Sequence, residues 1–125
     1  MDSFLNLAAR ILMSQIFLIS GFGKITGYAG TQAYMAKMGV PGALLPLVIL
    51  TELGGGLALL FGFKARWAAL ALAGFTVLSA LIFHLEPGNQ MQMINFMKNL
   101  AIAGGLLMFV RHGAGAPAID KPSRS

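Results

Sequence analysis

Residues 67–85 read Trp-Ala-Ala-Leu-Ala-Leu-Ala-Gly-Phe-Thr-Val-Leu-Ser-Ala-Leu-Ile-Phe-His-Leu, a run without a charged residue and with its one imidazole, His84, next to the end. A helix that crosses a bilayer needs about 20 mainly apolar residues. A backbone amide left unbonded in hydrocarbon costs several kcal/mol, so a run of this length and composition reads as a membrane-spanning helix. Its borders agree. Lys64-Ala65-Arg66 makes a tight charged turn before it, and Glu86-Pro87-Gly88-Asn89 breaks the chain after it. Working outward, three more segments meet the same criterion: residues 4–23 with Arg10, Ser14, Gln15 and Ser20, residues 44–63 with Glu52, and residues 94–110 with Lys98 and Asn99. The predicted fold is an all-α membrane protein, a four-helix transmembrane bundle over residues 1–112. A flexible cytoplasmic tail is predicted at 113–125, where Gly, Pro and Ser accumulate.

The composition admits little else. Of 125 residues, 57% are hydrophobic, against nine Lys or Arg and four Asp or Glu. An ordinary soluble domain is about 25% charged, and a disordered chain lacks apolar residues. The absence of cysteine removes disulfides, thiolate metal sites and cysteine nucleophiles. The net charge of +5 is spread singly or in twos, so no basic stripe is formed and nucleic acid is not an expected partner. The sequence has no P-loop, GxGxxG, HExxH or GxSxG motif. An autonomous enzyme is therefore not expected.

The link between the first two spans carries Tyr34, Met35 and Met38 at helical spacing beside Lys37, which predicts a short interfacial helix over residues 29–38. Basic residues in short loops set orientation. Lys64, Arg66, Arg111, Lys121 and Arg124 fall on one side and Lys24 and Lys37 on the other, predicting a multi-pass membrane protein with both termini in the cytoplasm. Gly21-Phe22-Gly23 offers a small-x-small site, but Asp2 and the lack of a basic cluster before it argue against a cleaved signal peptide. Residues 53–61 and 101–109 share a Gly-Gly core flanked by Leu and Phe. Duplicated hairpins and ordinary small-residue helix packing both account for that likeness.

Ionisable groups within spans are costly and mark function by default. Glu52 lies eight residues beyond Leu44, about 12 Å into its helix. It is too deep and too short to reach water, and calls for a cation or for protonation. Lys98 is a candidate partner, with snorkelling to the interface as the alternative. Asn99 beside it could bond a ligand or a neighbouring helix, and Arg10 near the cytoplasmic end could snorkel or contact a ligand. Lys24, Glu52, His84 and Lys98 are expected in the outer half of the bundle, a set suited to a polar head with carbonyl oxygens such as a quinone ring. Met91, Met93, Met97, Met35 and Met38 with His84 raise a copper reading, although flexible apolar packing also explains such methionines. No other metal site is expected.

Several stretches, taken in order, carry a family resemblance: Phe17-Leu18-Ile19-Ser20-Gly21-Phe22-Gly23-Lys24, Met38-Gly39-Val40-Pro41, Glu52-Leu53-Gly54-Gly55, Gly62-Phe63-Lys64-Ala65-Arg66, Lys98-Asn99-Leu100-Ala101 and Gly104-Gly105-Leu106. From Arg10 to about Val110 the chain resembles the DoxX family of small bacterial inner-membrane proteins. The resemblance implies a four-helix membrane bundle with a redox association, since the family takes its name from a subunit of a thiosulfate:quinone oxidoreductase. Related thiol-oxidising bundles use cysteine pairs, which this chain lacks, so thiol chemistry is not expected.

Two functional expectations result. In one, the chain is a quinone-linked subunit that works with a membrane or soluble oxidoreductase partner. Glu52 and Lys98 would act as the proton-relay residues, and Lys24, His84, Asn99 and Arg10 as quinone or polar-ligand contacts. In the other, it is a non-enzymatic factor that binds a small molecule, lipid or partner protein, with copper as a sub-case. The lipid bilayer is a partner in both, and association of copies would help to bury the polar cluster.

Overall fold

The computed structural model describes residues 2–120. Lys121 and Arg124, which entered the orientation count, lie outside the described residues. The chain is all helical, and no strand occurs among those residues. Helix α1 runs Asp2–Thr26, α2 Tyr28–Lys37, α3 Leu45–Phe61 after a short 3-10 turn at Gly42–Leu44, α4 Ala65–Ser79, and α5 Gln90–His112. Four helical stretches are long and apolar enough to cross a bilayer: Asp2–Thr26, Gly42–Phe61, Ala65–His84 and Gln90–His112.

Helix ends follow local chemistry. Pro46 stands in the first turn of α3, where its missing N–H removes nothing. Gly62 closes α3 at φ +71, a left-handed conformation that glycine adopts without penalty. Asn89 caps α5 by accepting from the Gln92 N–H at 3.2 Å. That cap starts the last span at Gln90, four residues earlier than hydropathy places it. Helix α4 continues into a π-helical turn at Ala80–His84, a form concentrated at functional sites.

The distribution of polarity is inverted relative to a soluble bundle. Arg10, Ser14, Glu52 and Thr76 are buried, while Phe4, Leu12, Ile19, Leu50, Trp67 and Leu78 face outward. The interior is built from small and branched residues, with Leu59, Ala65, Ala69, Leu72 and Leu106 fully buried. Helix α1 packs along α3, α3 against α4, and α4 against α5, whereas α1 and α5 meet only sparsely. The ring of helices is thus tight at three seams and loose at the fourth. Two glycines set the tight α1–α3 seam: a Cβ at Gly21 would stand 2.8 Å from Leu53 Cγ, and one at Gly56 would stand 3.0 Å from Leu18 Cδ2.

Residues 113–120 depart from the flexible tail expected of their composition, because the bundle end offers them specific partners. Ile119 N–H donates to Phe61 O at 3.0 Å, and Asp120 N–H donates to Gly62 O at 2.7 Å. The Asp120 carboxylate accepts from the Lys64 N–H at 2.6 Å and the Ala65 N–H at 2.8 Å, capping α4 from a distance. Arg10 Nη2 donates to Pro117 O, and Asn6 Nδ2 donates to Ala116 O at 3.2 Å. We call this the tail end of the bundle, and the opposite end the α2 end.

Candidate functional site

The site is built where α1 presses closest to α3. Gly21 leaves its Cβ space to Leu53 and to Glu52, whose own Cβ would be 3.3 Å from a Cβ at Gly21. Glu52 is thereby held inside the bundle, 3% exposed. One turn up, the Lys24 side chain points back along α1 as helical side chains do. Its Nζ lies 2.7 Å from Glu52 Oε1 and donates to Ser20 Oγ at 2.6 Å. Burying a carboxylate is tolerable only with such a counter-charge. The buried Thr76 Oγ1 has no hydrogen-bond partner among the described residues.

These groups face a cavity of about 490 Å³. Gln15, Ser20 and Lys24 enter it from α1, Glu52 from α3, Thr76 and Ser79 from α4, His84 from the π turn and Asn99 from α5, with Phe17, Phe75 and Ile102 as apolar walls. Asn99 Nδ2 donates to the Thr76 backbone O at 3.3 Å and so ties α5 to α4 at cavity level. His84 Nδ1 is 2.9 Å from Gln92 Oε1, which also accepts from Asn95 Nδ2 at 3.5 Å. An amide oxygen can only accept, so Nδ1 is the donor in this contact. One cavity therefore offers an ammonium, a carboxylate, an amide, an imidazole and hydroxyls. It can bind carbonyl oxygens and position a donor or acceptor on either side of them.

A profile of the DoxX family matches residues 5–85, most of the chain. The chain belongs to the DoxX family. Inner membrane protein YqjF of Escherichia coli (strain K12) is 57% identical over 115 residues, covering 92% of this chain and 88% of that protein. Inner membrane protein YphA of the same organism is 36% identical over 124 residues, 94% and 89% of the two chains. "Putative oxidoreductase CatD" of Bacillus subtilis (strain 168) is 29% identical over 77 residues, 62% of this chain and 57% of its own. No solved structure matches. The four spans and these relatives make this DoxX protein a multi-pass inner-membrane protein.

Of the residues singled out from the sequence, Lys24, Glu52, His84 and Asn99 line one cavity. Lys98 does not: it is exposed on the outward side of α5 and the ammonium beside Glu52 is that of Lys24. Helix rotation, which hydropathy does not report, puts Asn99 inside and Lys98 outside. Arg10 is also elsewhere. It is 1% exposed at the tail end, 14 residues or about 21 Å of helix from Lys24, where the Pro117 carbonyl holds it. None of the five methionines of the copper reading lines the cavity with His84. Met35 is buried beneath α2 in a separate apolar pocket, while Met38, Met91 and Met97 are exposed.

Ser20, Thr76, Gln92 and Asn95 make contacts in or beside the cavity that the sequence reading missed. Ser20 could have been found from its i, i+4 spacing to Lys24, and Gln92 from its place one turn after the Asn89 cap. Thr76 gives no signal, because a lone hydroxyl in a span looks the same facing lipid or cavity.

Proposed function

We propose that this DoxX protein is a quinone-binding subunit of a membrane oxidoreductase system, with the ring seated in the Lys24–Glu52–His84–Asn99 cavity. The observation that carries the reading is the buried Glu52–Lys24 ion pair on the wall of a cavity that is also lined by Thr76, whose Oγ1 has no hydrogen-bond partner among the described residues. Buried polar atoms are almost always satisfied, so an unpartnered hydroxyl among other polar groups that line open volume favours a polar occupant. The likeness to the relative named "Putative oxidoreductase CatD" supports a redox setting.

A quinone, when bound, supplies two-electron, two-proton chemistry in the membrane. The chain's own groups divide the remaining work. Lys24 Nζ and Asn99 Nδ2 donate to carbonyl oxygens, His84 gives one donor or acceptor on a ring fixed by Gln92, and Glu52 holds and passes a proton. The aromatic and aliphatic walls at Phe17, Phe75 and Ile102 exclude water and strengthen each polar contact. The excess of Lys64, Arg66 and Arg111 at the tail end favours that end in the cytoplasm, which puts the cavity in the outer half of the membrane.

The test is chemical extraction of the protein purified in its native lipid. Quinone bound in stoichiometric amount, and lost together with partner-coupled quinone reduction in Glu52→Gln, is the expected result. No quinone on extraction and unchanged reduction in Glu52→Gln would overturn it. A stable protein partner recovered without any quinone would move the chain to the non-enzymatic binding or assembly class.

A further inference from the structure

The polar cavity is not closed on the side of α1 and α5. Where these helices fail to pack, a second cavity of about 680 Å³ runs from Gln15, Ile16 and Ile102, which it shares with the first, to Asn6 and His112 at the tail end. Its walls are mainly apolar, with Leu12, Met13, Met108 and Phe109 along its length. A polar chamber thus adjoins an apolar seam that follows α1 towards the other face of the membrane.

We infer that the occupant of the polar cavity carries a long polyisoprenoid tail that leaves through the α1–α5 seam and lies along it as far as Asn6 and His112. This rests on the quinone reading above and adds the tail, its route and a lateral way in from the bilayer. Two dimensions favour this occupant over a phospholipid. The head site at Glu52 is seven residues below the start of α3, about 10 Å by helical rise, deeper than a phosphate group tethered to the surface would settle. The seam itself follows α1 from Ile16 to Asn6. From Gly21, which is level with Glu52, to Asn6 is 15 residues or about 22 Å, whereas an acyl chain of one leaflet spans half of a hydrocarbon core about 30 Å thick. The seam therefore continues past the midplane, where a chain longer than one leaflet is needed to fill it. Met13 and Met108 suit an irregular mobile chain, since thioether side chains repack readily. A Cβ at Gly105 would stand 2.5 Å from Met13 Cε, the movable end of a flexible side chain, so the seam can widen there.

The experiment uses the full-length protein in phosphatidylethanolamine–phosphatidylglycerol nanodiscs with a quinone bearing a photoreactive group at its tail tip. Illumination followed by peptide mapping is expected to label residues 6–13 and 105–113. Two seam-filling variants, Ala9→Phe on an exposed position and Gly105→Leu, are expected to cut that labelling and the retention of the long-tailed quinone by about fivefold, roughly 1 kcal/mol. Retention of a tailless quinone with the same head should not change. Labels confined to α3 and α4 or to lipid, or equal retention of long-tailed and tailless quinone, overturn the tail route and leave the quinone reading standing. A cross-link between copies through Leu12→Cys in the loaded protein overturns it too, because a second copy would then fill the seam. Failure to retain either quinone defeats the underlying reading itself.

Discussion

Breaking the Lys24–Glu52 contact provides a direct measure of how the site is assembled. At 2.7 Å the attraction between unit charges is about 6 kcal/mol for an effective dielectric constant near 20. Much of that offsets the cost of removing the carboxylate from water, so the net worth of the pair is small. Removing one partner is different, since it strands the other charge, typically at about 3–5 kcal/mol for a buried pair. Glu52 is 4% exposed in its side chain and Lys24 25%, which places Lys24→Met at the low end, about 3 kcal/mol. Glu52→Gln should cost only about 1 kcal/mol, because the partly exposed ammonium keeps water and Ser20 as partners. The double variant should lose no more than about 1–2 kcal/mol, giving a coupling of about 2–3 kcal/mol. Reversible unfolding in mixed micelles, followed by circular dichroism, measures all four proteins of the cycle. Lys98→Met supplies the control and should shift stability by less than about 0.5 kcal/mol without coupling to Glu52→Gln. Additivity of the Lys24 and Glu52 changes within about 0.5 kcal/mol, or coupling through Lys98 instead, would refute the assignment of the ion pair.

Gly21→Ala should destabilise by about 1–3 kcal/mol through overpacking against Leu53, while Gly23→Ala, which meets nothing within 4 Å, should be neutral or slightly stabilising, as thermal unfolding will show. Asp120→Ala removes two hydrogen bonds from the first turn of α4 and should cost about 1–2 kcal/mol, with faster amide exchange over residues 113–120 by mass spectrometry. Deletion of Leu81 would remove the extra residue of the π turn and rotate His84 by about 100°. Loss of the His84–Gln92 contact in imidazole NMR spectra, together with lower quinone retention, is the expected outcome.

The spans were legible because their signal is additive: some twenty side chains vote on one property, and Glu52 stands out against them. Its burial follows from the same argument, since a short carboxylate that deep has nowhere wet to go. Rotation about each helix axis was not legible. Adjacent Lys98 and Asn99 look alike in a hydropathy trace, yet packing of α5 on α4 sends one outward and the other to the Thr76 carbonyl. The identity of the cation beside Glu52 depended on Gly21, whose missing Cβ matters only once α3 is known to lie against it. The π turn had no marker either, as Ala80-Leu81-Ile82-Phe83-His84 contains neither Gly nor Pro. The composition of residues 113–120 pointed to disorder because it registers few apolar groups, and it misses a carboxylate and two carbonyls placed to meet unsatisfied donors.

Asp120 is translated after all four spans, but the helix start that it satisfies belongs to the third. During synthesis, the Lys64 and Ala65 amides must wait in solvent or among lipid headgroups, and Arg10 must wait with them, until the ribosome has delivered the last membrane segment. A chain stalled before that point would have every span inserted and one face of the assembly unfinished, a state that quality-control proteases could distinguish from the completed molecule.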